Sequence, residues 1–216
     1  MSQGAFTQLR KAWWLVAVFL SWASPGLCAT AAGKAGEAPA TAPRLDVTTA
    51  LQALGPHASL GDQTKIFGRL VGAWDVEYTE FSKSGKVSHR SGEFIVGWVM
   101  DGRAIQDLWI VYPSGERKER EVYLDVRYFD PKSATWPAVF IDPEHASVAR
   151  FTGGAVGDDR IVLDSPDLGY EDSRWSFNDI RPDTFVFRSE VSNDGGKTWR
   201  LQSEYHMKRR GAAPAQ

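Results

Sequence analysis

The chain has 216 residues, 25 Lys+Arg against 27 Asp+Glu, 43% hydrophobic residues and 12% aromatics. That composition fits one globular domain, or at most two small ones, and excludes a disordered chain. A net charge of −2 leaves no electrostatic footprint for nucleic acid, and one Cys excludes a disulfide framework and a cysteine-based zinc site.

In chain order, Arg10 and Lys11 precede an apolar run from Trp13 to Trp22, and small residues follow. This is the order of a secretory signal, and the run is too short for a spanning helix, which needs about 20 apolar residues. Ala29-Thr30-Ala31 supplies the cleavage site, so cutting is expected after Ala31 or, next to it, after Ala29. Leu27 stands before Cys28 where a lipidated cysteine would want a small residue. Removal of residues 1–31 leaves 23 basic against 27 acidic residues, a net of −4, and no cysteine. Such a chain suits an oxidising periplasmic or secreted location, without a membrane span and without affinity for an anionic membrane surface. Residues 32–43 (AGKAGEAPATAP) read as a flexible linker, 44–210 as the folded domain and 211–216 as a disordered tail.

The domain opens with Asp46–Leu54, a short helix capped by Asp46 and ended by Gly55-Pro56, and a second turn or two is expected within Asp62–Leu70. From Trp74 onward the helical period disappears. Segments 74–81, 92–100, 103–112, 121–129, 136–141, 147–152, 160–163, 174–180, 183–191 and 198–207 alternate or run apolar at strand length. Most are rich in aromatic and β-branched residues, and several are joined by short turns such as Lys83-Ser84-Gly85-Lys86 and Asn193-Asp194-Gly195-Gly196. Short connections throughout predict an all-β antiparallel up-and-down barrel of about 8–10 strands rather than a Greek-key sandwich, which needs a long crossover.

Gly72-Ala73-Trp74 at the start of the first strand resembles the G-x-W signature of lipocalins and their calycin relatives. Longer phrases, Phe67–Val76, Gly97–Asp107, Arg174–Phe177 and Asp194–Trp199, resemble a bacterial family of lipocalin-like domains without an established activity. The resemblance spans roughly residues 64–208 and implies the barrel, with Trp74 closing its bottom.

Chemistry-bearing residues are sparse. His57, His89, His145 and His206 lack metal-ligand spacing, the mature chain has no thiol nucleophile, and no G-x-S-x-G follows a strand. No metal, cofactor or catalytic set is therefore expected. Ser192-x-Asp194-x-Gly196-x-Thr198-Trp199 fits the Asp-box of sialidases and other propellers, but a single copy reads as a hairpin brace. The remaining signal is charge within strands. Arg103, Asp107, Arg127 and Arg150, with Gln106 as a weaker member, are expected to supply polar contacts of an internal pocket, and Trp98, Trp109, Trp136 and Trp175 its walls.

The expected function is burial of a small, mostly apolar ligand with a polar handle in the barrel. Two alternatives stand beside it: a non-catalytic envelope interaction module with a filled barrel, and a barrel enzyme using Asp107 or Glu190 as general base. The sequence names no protein partner.

Overall fold

A computed structural model of the protein describes residues 46–115, 117–165 and 172–211. The predicted leader, linker and all of the tail beyond Gly211 lie outside the described residues.

Asp46 caps the first helix, α1 (Val47–Leu51), accepting hydrogen bonds from the backbone N–H and hydroxyl of Thr49, each at 2.9 Å. One and a half turns bury no side chain, so the helix is held by backbone bonds to the barrel. Ala53 donates to the Trp98 carbonyl and Met100 to that of Leu51. Gly102 makes this approach possible: its φ is +76°, and a Cβ would fall 2.3 Å from the Gly55 carbonyl oxygen. A 3-10 turn at Ala58–Gln63, helix α2 (Thr64–Phe67) and a 3-10 turn at Gly68–Leu70 then carry Leu60, Phe67 and Leu70 into the barrel end.

Ten strands follow: β1 (Gly72–Phe81), β2 (Val87–Val99), β3 (Ala104–Val111), β4 (Glu121–Tyr128), β5 (Ala138–Asp142), β6 (Ser147–Ala155), β7 (Ile161–Ser165), β8 (Asp172–Asn178), β9 (Thr184–Ser192) and β10 (Arg200–Arg209). Each pairs antiparallel with its sequence neighbours, and β10 returns to β1 to close the barrel. All ten predicted strands are present. Closure removes the exposed sheet edges that an open meander would carry. β2 is longer than its predicted core because residues 87–91 (VSHRS) are mostly polar and give no apolar alternation.

At the end covered by α2 the interior is filled. Phe67 meets Trp136 at 5.1 Å and Phe177 at 5.9 Å, centroid to centroid, and Trp74 meets Phe185 at 4.7 Å. Trp74 donates its indole N–H to the Leu70 carbonyl at 2.8 Å. The Arg209 guanidinium lies 3.9 Å over the Trp74 ring and donates to the carbonyls of Val71 and Arg69 at 2.8 Å. The last strand is thereby clamped to the segment that enters the first, with cation–π contact added to charge-assisted bonds. Trp74 closes the bottom as the resemblance implied.

The Asp194 motif is the predicted hairpin brace. Its carboxylate accepts from the backbone N–H groups of Lys197 and Thr198 at 2.9 Å and from the hydroxyls of Thr198 and Ser192. The Thr198 hydroxyl and backbone bonds hold its pKa down at about 2.

Candidate ligand cavity

Alternation puts even-numbered residues of β1 and β2 and odd-numbered residues of β3 and β4 inside the barrel. The end away from α2 holds a cavity of about 1100 Å³, open at the mouth formed by the β1–β2, β3–β4 and β5–β6 connections. This is at the upper end for small-molecule sites. Nine aromatic side chains line it. Gly92 makes room for one of them: a Cβ there would meet the Ile110 carbonyl oxygen at 1.9 Å and the Tyr78 ring at 2.9 Å.

The aromatic lining is one continuous network. Phe151 stacks on Trp175 at 4.0 Å, and Phe140 meets the same indole edge-on at 5.0 Å. Phe187 joins Trp175 at 5.6 Å, Trp109 at 4.9 Å and Tyr205 at 5.3 Å, and Tyr205 continues to Tyr78 at 4.6 Å. Each ring thus fixes its neighbours, and the basin is preformed. Burial raises the Tyr78 and Tyr205 phenols, the latter to about 12, so both stay neutral.

One wall near the mouth is charged. Arg90 points inward from β2 with its side chain only 8% exposed. It donates from Nη1 to Glu121 at 2.7 Å and from Nη2 to Glu80 at 3.0 Å, while its buried Nε has no partner among the described residues. Glu121 also accepts from Tyr123 at 2.7 Å and Arg117 at 2.6 Å. Burial pulls the Glu121 carboxyl up, but the bonds from Tyr123, Arg90 and Arg117 outweigh it and leave its pKa at about 2. Next to it, beyond β1, the wall carries the buried serines Ser203, Ser189 and Ser173 on β10, β9 and β8, with Ser203 directly across the ladder from Glu80.

A second charged group is sealed below the aromatic basin. Arg127 donates from Nε to Asp125 at 3.1 Å and from Nη2 to Asp107, and its guanidinium lies 4.6 Å from the Phe67 ring centre. Asp107 Oδ1, Asp125 Oδ2 and the indole nitrogen of Trp109 have no hydrogen-bond partner among the described residues. Two carboxyls share one cation in a dry site, and desolvation raises both, Asp107 the more strongly.

The nine residues expected to form one pocket occupy four places. Trp109 and Trp175 line the cavity. Asp107 and Arg127 are inside the barrel but under its floor, turned toward each other. Trp98 and Trp136 belong to the packed end, where Trp98 rests on Gly68 and Trp136 on Phe67. Arg103, Gln106 and Arg150 point outward, a correction to their grouping with the pocket. Arg103 sits in the turn before β3, where Met100 and Asp101 adopt positive φ and break the alternation that would have aligned it with Asp107. It bonds to His57 at 2.9 Å. Arg150 does share a face with Val148 and Thr152, but Phe151 takes the inward position between them. Glu190 is likewise outward, between the cavity-lining Ser189 and Val191. Neither Asp107 nor Glu190 touches the cavity. Sequence reasoning missed Arg90, Glu80, Glu121 and Arg117, and the rings of Tyr78, Tyr123, Phe140, Phe151, Phe187 and Tyr205.

The fold class defined by this architecture is a closed antiparallel up-and-down barrel, lipocalin-like and of ten strands. Among solved structures the chain is similar to Rv2717c from M. tuberculosis, with a TM-score of 0.51 and 10% identity over 72% of this chain and 99% of that one. S-type phycobiliprotein lyase CPES from Guillardia theta gives a TM-score of 0.47 and 14% identity over 68% of this chain and 92% of that one. A redesigned β-barrel gives 0.35 and 12% over 74% and 100%. No family model and no curated protein matches the chain. Among the described residues no helix is long and apolar enough to cross a membrane, and no group of three His, Cys, Asp or Glu residues converges for a metal.

Proposed function

We propose that this is an exported member of a bacterial lipocalin-like group that binds a small, mostly apolar ligand in the mouth of its barrel. The observation that carries the reading is the open cavity of about 1100 Å³ walled by a continuous aromatic network. A barrel whose role was purely structural would gain several kcal/mol by filling such a void with side chains, as the opposite end of the same barrel does. Aromatic walls supply apolar contact, and the charged wall and the serines supply orientation. Export rests on the leader, with cleavage after Ala29 or Ala31 placing the protein in the periplasm or outside the cell.

The test is the mass of the exported protein under native and denaturing conditions, before and after exposure to a mixture of fatty acids, isoprenoids and aromatic acids. Added mass that disappears on denaturation, and that Trp175→Ala diminishes, supports binding. A bare mass throughout, with no gain in melting temperature, removes the reading, since any ligand selective for the native state must stabilise it. An intact Met1 on the exported chain removes the cleavage.

A further inference from the structure

Resting on that binding reading, we infer that the ligand is an anion: a flat aromatic or conjugated ring system whose carboxylate or sulfonate-type group is held at the cationic lip formed by Lys86, Arg90 and Arg117.

The lip has an asymmetry in which charges are already satisfied. Glu121 takes three donors, Arg90, Arg117 and Tyr123. Glu80 takes Arg90 and the Ser88 hydroxyl, and Asp142 across the mouth takes the ring and backbone N–H of His145. The bases are less committed. Among the described residues the Arg117 guanidinium makes one hydrogen bond, through a single Nη, and its side chain is 50% exposed. Lys86, in the β1–β2 turn that lines the cavity, has no ion-pair partner for its ammonium among the described residues. Arg90 lies between them, with its Nε buried and without a partner among the described residues. Donors therefore remain free at the lip, while each carboxylate already accepts at least two hydrogen bonds. A ligand cation would meet acids that already have partners, whereas an oxyanion would meet the unused N–H groups of Arg117 and Lys86 at the exposed rim of the cavity.

The basin argues for the rest of the molecule. Its apolar lining is overwhelmingly aromatic, with Val111, Val148, Ala149 and Val191 the aliphatic exceptions. Ring faces and edges gain offset-stacked or edge-to-face contact with another ring system, an interaction that an acyl chain does not make. The stacked pairs Phe151–Trp175 and Phe187–Tyr205 set the planes against which such a ring would rest.

Two fluorescent naphthalenes of closely similar shape separate the claims: anionic 8-anilinonaphthalene-1-sulfonate and neutral N-phenyl-1-naphthylamine, titrated into the exported protein. The readout is the ratio of their affinities. The inference expects the sulfonate to bind in a salt-sensitive way, and the double variant Lys86→Gln, Arg117→Gln to weaken it about tenfold while the neutral probe changes less than about twofold. Trp175→Ala, or Ser189→Phe should that variant fail to fold, should weaken both probes, which places them in the cavity. If the neutral probe binds and the double variant leaves the ratio unchanged, the anion inference fails and the binding reading survives. Sulfonate binding that ignores both cavity variants is surface adsorption and also overturns it. If neither probe binds, both readings fall.

Discussion

The two ends of the barrel use the same strands and the same inward alternation to opposite effect. Toward α2, the buried Trp74, Phe94, Phe177 and Phe185 pack with Phe67, which enters from outside the sheet. Toward the mouth, the inward positions of β8, β9 and β10 become Ser173, Ser189 and Ser203, and their small volume leaves the aromatic basin uncovered. Each end also holds one arginine between two carboxylates, in different media. Arg127 and its aspartates are dry and short of hydrogen bonds, whereas Arg90 and its glutamates share donors with Tyr123, Ser88 and the half-exposed Arg117. The lower trio is sealed in the core, whereas Glu80 and Arg90 of the upper one line the open cavity. Desolvation, more than residue type, separates the two roles.

This contrast breaks first at the closed end. Arg127→Met would strand two buried carboxyls and is expected to cost about 3–5 kcal/mol in denaturant unfolding, whereas Asp107→Asn replaces a carboxyl whose ionisation burial opposes and should be neutral or stabilising at pH 7. Equal losses for the two variants would mean that Asp107 is charged and indispensable. Next, Phe67→Ala should cost about 3–5 kcal/mol by leaving a cavity in a packed layer. The same truncation at Phe140, which already faces open space, should cost roughly 1 kcal/mol and act mainly on ligand affinity.

The two trios also predict opposite pH limbs. Glu121 has a folded pKa of about 2, below the unfolded value of about 4.3, so its stabilisation is present above the unfolded value and is lost as pH falls between the two. Asp107 is raised, so the folded state holds a proton that the unfolded state releases, and stability declines as pH rises above the ordinary aspartate range. Glu121→Gln should flatten the acid limb and Asp107→Asn the other, read from denaturation midpoints across pH. A profile unmoved by both substitutions would deny the contrast. The smallest effect belongs to the mouth hairpin. Asp194→Ala should lower the melting temperature slightly by freeing two backbone amides and the Ser192 and Thr198 hydroxyls, with affinity for either naphthalene probe unchanged.

Ten strands, short turns, the Asp46 cap and the Asp194 brace were legible in the sequence, because each depends on contacts a few residues apart or on a period of two within one segment, whereas the Trp74 closure followed only from the lipocalin resemblance. The cavity was legible only in part. On β3 both faces are apolar, with Leu108 and Ile110 outside and Ile105 and Trp109 inside, so local pattern could not say which side met the core. Trp98, Trp109, Trp136 and Trp175 look alike as residues, yet two are packing and two are cavity wall, a distinction made by α2 filling one end. The lip was hidden for a related reason. A charge inside a barrel looks, along the chain, like a charge on a solvent face, and residues 87–91 are mostly polar with no apolar alternation to mark them as strand. Arg90 becomes tolerable inside because the curved sheet brings Glu121, 31 residues away, to 2.7 Å, beside Glu80 at 3.0 Å. Local sequence determined which residues extend and where they turn; the tertiary structure decided which charges lose water and find partners, since that free energy exists only when distant strands meet.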